Sequence, residues 1–146
     1  DIIHVPYKGS SGARTDVLGG QVDMMFDGLG SSANHIKGGR IRGIAVASDK
    51  RAPGFADLPT APEGGVPAYK VSTWYGIWAP KGTPRDAIAA MQAEMRKALN
   101  SDELRTVWNG LGTETPNLWG DDFGKFVNAE IKRWGEVVKS SGAKLD

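Results

Sequence analysis

Cysteine is absent from the 146 residues, which excludes disulfides, thiol nucleophiles and thiolate metal sites together. Histidine is scarce. His4 and His35 are the two present, too isolated for a metal site, and read as structural or surface imidazoles. No charge of one sign dominates, since 18 Lys and Arg stand against 17 Asp and Glu, a net charge of +1. Without clustered basic residues there is no electrostatic footprint for a nucleic acid. Long apolar runs are lacking too; stretches such as Val22 to Phe26 are far too short to cross a bilayer. Catalytic motifs are missing as well. No serine sits in a Gly-x-Ser-x-Gly context beside a credible base. Gly28-Leu29-Gly30-Ser31-Ser32 lacks the spacing and the Lys-Ser/Thr pair of a phosphate loop. Asp121-Asp122 fall at a helix start, where capping explains them. An enzyme is therefore poorly supplied with acids, bases and nucleophiles, and no cofactor is expected.

What is present is the composition of a soluble globular protein, 40% hydrophobic and 24% charged, at the length of one ordinary domain. The chain begins at Asp1 with neither Met nor signal peptide, and so reads as a processed protein or an excised piece. Ile2 to Val5 is a short β-rich run ended by Pro6. Ser10 or Ser11 can cap a helix reaching Leu18, with Ala13, Val17 and Leu18 inward and Gly19-Gly20 as its stop. Val22 to Phe26 reads as a second strand. A helix capped by Ser31 or Ser32 follows and ends at Gly38-Gly39. Arg40 to Ala47 reads as a third strand. This βαβαβ order predicts an α/β fold with parallel strands joined by right-handed crossovers.

From Ser48 to Lys70 the chain is rich in Pro, Gly and charge, a looped connector with one helical turn after Thr60. Val71 to Ala79 is strongly β-prone and ends at Pro80. Thr83-Pro84 with Asp86 starts a helix whose inward residues are Ile88, Met91, Met95 and Ala98. Ser101 caps another, with Leu104, Val107, Trp108 and Leu111 inward. After a break around Pro116, a long amphipathic helix carries Phe123, Phe126, Val127, Ile131, Trp134, Val137 and Val138, and closes at Gly142. One strand followed by three helices cannot make a sheet by itself, so the strand at 71–79 needs a partner from elsewhere.

Ligands of open parallel sheets bind beyond the carboxyl ends of the strands, where helix N-termini point. Two segments sit there: Pro6-Tyr7-Lys8-Gly9-Ser10, and Asp27-Gly28-Leu29-Gly30-Ser31-Ser32. Each offers backbone N–H groups, small residues and hydroxyls on which an anion can dock. On sequence alone each reads first as a connecting turn, with Lys8 solvated, Asp27-Gly28 a turn pair and Ser31 a helix cap. Of the tryptophans at 74, 78, 108, 119 and 134, Trp74 lies nearest the junction of the two halves and is the cleft candidate.

Several strings in order resemble one family, the tripartite tricarboxylate transporter receptors of Bug type. They are His4-Val-Pro-Tyr-Lys-Gly-Ser10, Thr15-Asp16 through Asp27, His35-Ile-Lys-Gly-Gly-Arg40 with Ile44 to Val46, Leu58-Pro-Thr60, Gly65-Val-Pro67, Trp74-Tyr-Gly-Ile77, Ala79-Pro80, Gly82-Thr-Pro84 and Lys139 through Asp146. The resemblance covers the whole chain. It implies a periplasmic binding protein roughly twice this length, whose two α/β lobes close on a ligand by hinge motion. Residues 1–74 would hold most of lobe two and 75–146 the returning C-terminal part of lobe one, with the strand at 71–79 joining a lobe-one sheet. The implied ligand is a small carboxylate: a dicarboxylate, a tricarboxylate, an amino acid or an aromatic acid. The implied partners are the membrane subunits of a transporter. The Pro6-Tyr7-Lys8-Gly9 turn and Asp27 would face the cleft: Tyr7 and the N–H groups of Gly9 and Ser10 would hold a distal polar group, and Asp27 would accept from a ligand hydroxyl, amine or bound water. Lys8, Gly28, Ser31 and Trp74 complete the expected ligand-binding set. Family members commonly read Asp-Asn-Leu-Pro where this chain has Asp27-Gly28-Leu29-Gly30, a looser loop without an amide. Two other readings of the scaffold remain: a regulatory or enzymatic α/β domain, and a homodimeric or domain-swapped piece that binds no ligand by itself.

Overall fold

In the computed structural model, which describes residues 2–115 and 117–142, five helices are joined by irregular segments. They are α1 (Ser10–Gly19), α2 (Leu29–Lys37), α3 (Arg85–Leu99), α4 (Asp102–Gly110) and α5 (Gly120–Ser141). All five expected helices are present, and the differences lie at their caps and faces. Gly9, not a serine, is the N-cap of α1, and no side chain caps it. Its far end closes as expected. Gly20 has φ +75°, a conformation that costs glycine nothing, and Gln21 then donates its N–H to the Asp16 carbonyl at 2.9 Å. α2 starts before the serines that were expected to cap it, with Gly28 at the N-cap. Ser101 does cap α4, accepting from the Leu104 N–H at 3.3 Å.

The expected βαβαβ sheet is not formed by this chain. Among the described residues Ile2–Val5, Val22–Phe26, Arg40–Ala47 and Val71–Ala79 carry no strand ladder, and a single isolated parallel bridge joins Val46 to Thr60. Its bonds run from Val46 N–H to the Pro59 carbonyl (2.9 Å) and from Ala61 N–H to the Val46 carbonyl (2.8 Å). Val71 N–H adds one bond to the Ala47 carbonyl at 3.0 Å. The physical reason is that β-propensity supplies side chains suited to a pleated surface, whereas a sheet needs a second strand in register. The apolar residues that a covered sheet would bury stand open: Ile3 is 83% exposed and Phe26 76%.

The core lies elsewhere. Ala33 of α2, Phe55 and Leu58 are buried together, with Leu29, Ile36, Val46, Ala52 and Leu111 packed around them. The connector that read as a loop thus supplies Phe55 and Leu58, two of the three buried residues of this cluster. It is pinned at Thr60, whose N–H donates to Glu63 Oε2 (2.7 Å) while the Glu63 N–H donates back to Thr60 Oγ1 (3.3 Å). This reciprocal cap builds the expected helical turn after Thr60. Lys37, at the end of α2, donates to the Gly110 carbonyl at the end of α4 and lies 4.8 Å above the Phe55 ring.

α3 packs on α4. Its inward stripe is Ile88, Gln92, Met95 and Leu99, so the expected Met91 and Ala98 face solvent. Val107 of α4 is likewise exposed, as are Ile131, Val137 and Val138 of α5. Helical spacing identifies an apolar stripe, but a neighbouring element is needed to cover it, and along α5 the cover includes Phe123, Phe126, Val127 and Trp134 but not Ile131, Val137 or Val138. There Trp74 meets Phe126 edge-on at 5.2 Å and Phe123 at 6.0 Å, with Trp78 5.5 Å from Phe123. The break around Pro116 and the family-like ending at 143–146 lie outside the described residues.

Candidate functional site

Asp27 precedes the α2 N-cap and sits at the centre of a polar cluster. Its Oδ2 accepts from Arg14 Nε (3.0 Å), Ser31 Oγ (2.9 Å) and Ser32 Oγ (2.5 Å). Arg14 Nη2 also lies 3.0 Å from this oxygen, and the two side chains are 16% and 9% exposed respectively. Burial by itself favours the neutral acid. The hydroxyls of Ser32 and Ser31, with the bonds and charge of Arg14, outweigh it and hold the Asp27 carboxyl below the ordinary range. The local sequence explains the geometry. A helical side chain leans toward its own N-terminus, so Arg14 in the second turn of α1 returns to the first, where Nη2 lies 3.4 Å from Ser10 Oγ. Ser31 and Ser32, inside the first turn of α2, turn their hydroxyls back toward the preceding Asp27.

The structure therefore joins the two segments singled out from sequence, but through a residue not singled out. Ser10 and Asp27, with Ser31, belong to one cluster because Arg14 reaches both. Gly28 completes the turn there: a Cβ on it would lie 3.7 Å from Ser31 Oγ and 3.9 Å from Thr73 Oγ1. Tyr7 stands on the other flank of α1. Its hydroxyl donates to Asp16 Oδ2 at 2.6 Å, and its ring would lie 3.5 Å from a Cβ on Gly12. The Asp16 carboxylate as acceptor, with some burial and its charge, raises the Tyr7 phenol above its ordinary pKa. Tyr7, Lys8 and Gly9 line a shallow depression of about 320 Å³ with Ser11 and Gly12. Trp74 is half-buried in the aromatic cluster against α5. Arg14 and Thr73 were missed, while Ser32 lay in the second segment and was read as a helix cap. Arg14 carries a signal in the sequence, four residues after Ser10 and thus on the same helical face; Thr73 carries none.

The arrangement offers two helix starts, that of α1 exposed and that of α2 half-buried, with one hydroxyl-rich turn and one neutralised ion pair. Among the described residues no cluster of His, Cys, Asp and Glu is suited to a metal ion. No helix among them is long and apolar enough to cross a membrane.

Comparison with known proteins identifies the family. The family model described as the tripartite tricarboxylate transporter family receptor matches residues 1–143, so the chain belongs to that family of receptors. Protein BugT of Bordetella pertussis is 34% identical over 141 residues, covering 97% of this chain and 43% of its own length. Three solved structures share the architecture. MatC from Rhodopseudomonas palustris with bound malate is 33% identical at a TM-score of 0.81, covering 94% of this chain and 48% of its own. An R. palustris protein with adipate is 35% identical at 0.85, covering 97% and 48%. The periplasmic binding protein BugD is 32% identical at 0.83, covering 99% and 49%. The fold is thus that of periplasmic binding proteins, and the chain spans a little under half the length of these relatives.

Proposed function

We propose that this chain is part of an extracytoplasmic receptor that captures a small dicarboxylate in the periplasm and delivers it to the membrane subunits of a tripartite tricarboxylate-type transporter. The observation that carries this reading is the junction of Ser10 and Asp27 through Arg14, which brings the N-termini of α1 and α2 to one place. Capture needs binding energy and no bond-making, so helix N-termini and hydroxyls suffice without an acid–base pair. Malate and adipate, bound by two of the related structures, are both dicarboxylates and support that class. Residues 1–74 form most of one lobe and 75–146 the returning part of the other, with the unpaired segments taking up strands in the two-lobe receptor. Asp27, Gly28, Ser31 and Ser10 face the cleft. Tyr7, Lys8 and Gly9 border it, and Trp74 holds its wall from behind.

Thermal unfolding against malate, adipate, citrate, aspartate and benzoate tests the proposal, because a ligand bound by the native state alone raises Tm as RT ln(1 + [L]/Kd). A rise with a dicarboxylate that is lost in Ser31→Ala combined with Gly28→Val supports it. If no acid raises Tm in this chain or in a version extended at its N-terminus to the length of BugT, carboxylate capture is wrong.

A further inference from the structure

We propose that Arg14 sets the ligand class of the receptor: by neutralising Asp27 at the start of α2, it makes the site take plain or hydroxylated dicarboxylates in preference to their 2-amino counterparts. The inference rests on the receptor reading above and deepens it. A carboxylate standing alone beside the first N–H groups of α2 would attract an ammonium group and repel an incoming carboxylate. Arg14 removes both effects. Its Nε and Nη2 both lie 3.0 Å from Asp27 Oδ2, the same oxygen that Ser31 and Ser32 approach at 2.9 and 2.5 Å. Four donor atoms converge on that one oxygen and leave it no room for an ammonium.

The pair is also poorly reached by solvent, with Arg14 16% and Asp27 9% exposed, so salt screens its charge little. The neighbouring carboxylate on α1, Asp16, is turned to the other flank, where it accepts from the Tyr7 hydroxyl at 2.6 Å. The Arg14–Asp27 pair is therefore neutral, and what remains toward a ligand is positive: the partial charge of two helix starts and the Lys8 ammonium that lines the depression beside α1. That environment suits two carboxylates and has no counter-charge for an amine.

The test is a charge ladder read as a preference. Affinities for malate and aspartate, which differ by a hydroxyl against an ammonium, and for adipate and 2-aminoadipate, are measured by calorimetry. The proteins are the wild type, Arg14→Met, Asp27→Asn and the double variant. The wild type should prefer the member without nitrogen in each pair. Arg14→Met, which leaves Asp27 unpaired, should shift that preference toward the amino acid by about tenfold or more, the scale of one charge acting over several ångströms at low screening. The double variant, neutral again, should return toward the wild-type ratio. Equal weakening of both members in Arg14→Met would mean a purely structural role and overturn the inference, as would a double variant that keeps the altered ratio. Should Arg14→Met not fold, Asp27→Asn and the double variant differ by the same Arg14 charge, and equal ratios for those two overturn it too. If none of the four acids binds to the wild type, either as this chain or extended at its N-terminus to the length of BugT, the receptor reading itself is overturned, and this inference with it.

Discussion

Arg14 Nε stands 3.0 Å from Asp27 Oδ2 across thirteen residues of chain, and this one ion pair fastens the first turns of α1 to the start of α2. Neither residue belongs to an apolar stripe. The contact arises because α1 ends in the Gly20 turn and the chain doubles back to place Asp27 beside Ser10, which Arg14 also touches.

The pair makes stability depend on pH in a stated direction. The folded pKa of Asp27 is depressed, so its contribution is fully present above the unfolded value, about 3.9, and is lost as pH falls through the folded value. Asp27→Asn should cost about 1–3 kcal/mol at pH 7, since it leaves Arg14 without its counter-charge in a largely buried place. Urea unfolding at pH 7 and pH 3 checks this. The gap between wild type and variant should narrow at the lower pH, and a constant gap would contradict it.

Gly112 holds φ +68° at the end of α4, and a Cβ there would fall 2.5 Å from Leu29 Cδ2 and 3.0 Å from Phe55 Cδ2. Gly112→Ala should therefore destabilise by about 1–3 kcal/mol, from backbone strain together with displaced core side chains. Chemical denaturation measures it, and an unchanged midpoint would mean that the turn and its neighbours relax freely.

Trp74 touches the three other rings of a four-ring cluster. Its edge-on contacts with Phe123 and Phe126, at 6.0 and 5.2 Å, tie the segment before Pro80 to α5. Trp74→Leu should lose about 1–2 kcal/mol, part from buried area and part from ring geometry. It should also remove much of the near-ultraviolet circular dichroism, because rigidly packed indoles give that signal. Retention of the spectrum would show that the cluster is not fixed in solution.

Tyr7 gives a spectroscopic prediction independent of stability. With Asp16 accepting its proton at 2.6 Å, Tyr7 should ionise later than a free tyrosine. Absorbance titration near 295 nm should show Tyr7 ionising later in the wild type than in Asp16→Asn. Superposable titrations of the two proteins would contradict the contact.

Much of this was legible in the chain. The five helices, the glycine stops and the Ser101 cap follow from local rules that operate within a few residues. The family motifs, from His4 through Thr83-Pro84, indicated the receptor class that the comparisons bear out. The α2 cap was misplaced because Gly28 supplies a suitable backbone without any side chain, leaving Ser31 and Ser32 to serve Asp27. The inner faces of α3 and α5 were misplaced because stripes such as Ile131, Val137 and Val138 read as apolar whether or not anything covers them.

Sequence alone determined what depends on near neighbours: helices, turns, the absence of cysteine chemistry and the residue types available to a ligand. Tertiary structure alone decided what depends on distant ones. It put Phe55 and Leu58 of an apparent loop at the centre of the core, left four β-prone segments without ladders, and set Arg14 rather than Tyr7 beside Asp27. The physical reason is the range of each interaction: a helix closes its hydrogen bonds within four residues, whereas a sheet, a core contact or an ion pair requires a partner that only folding brings near.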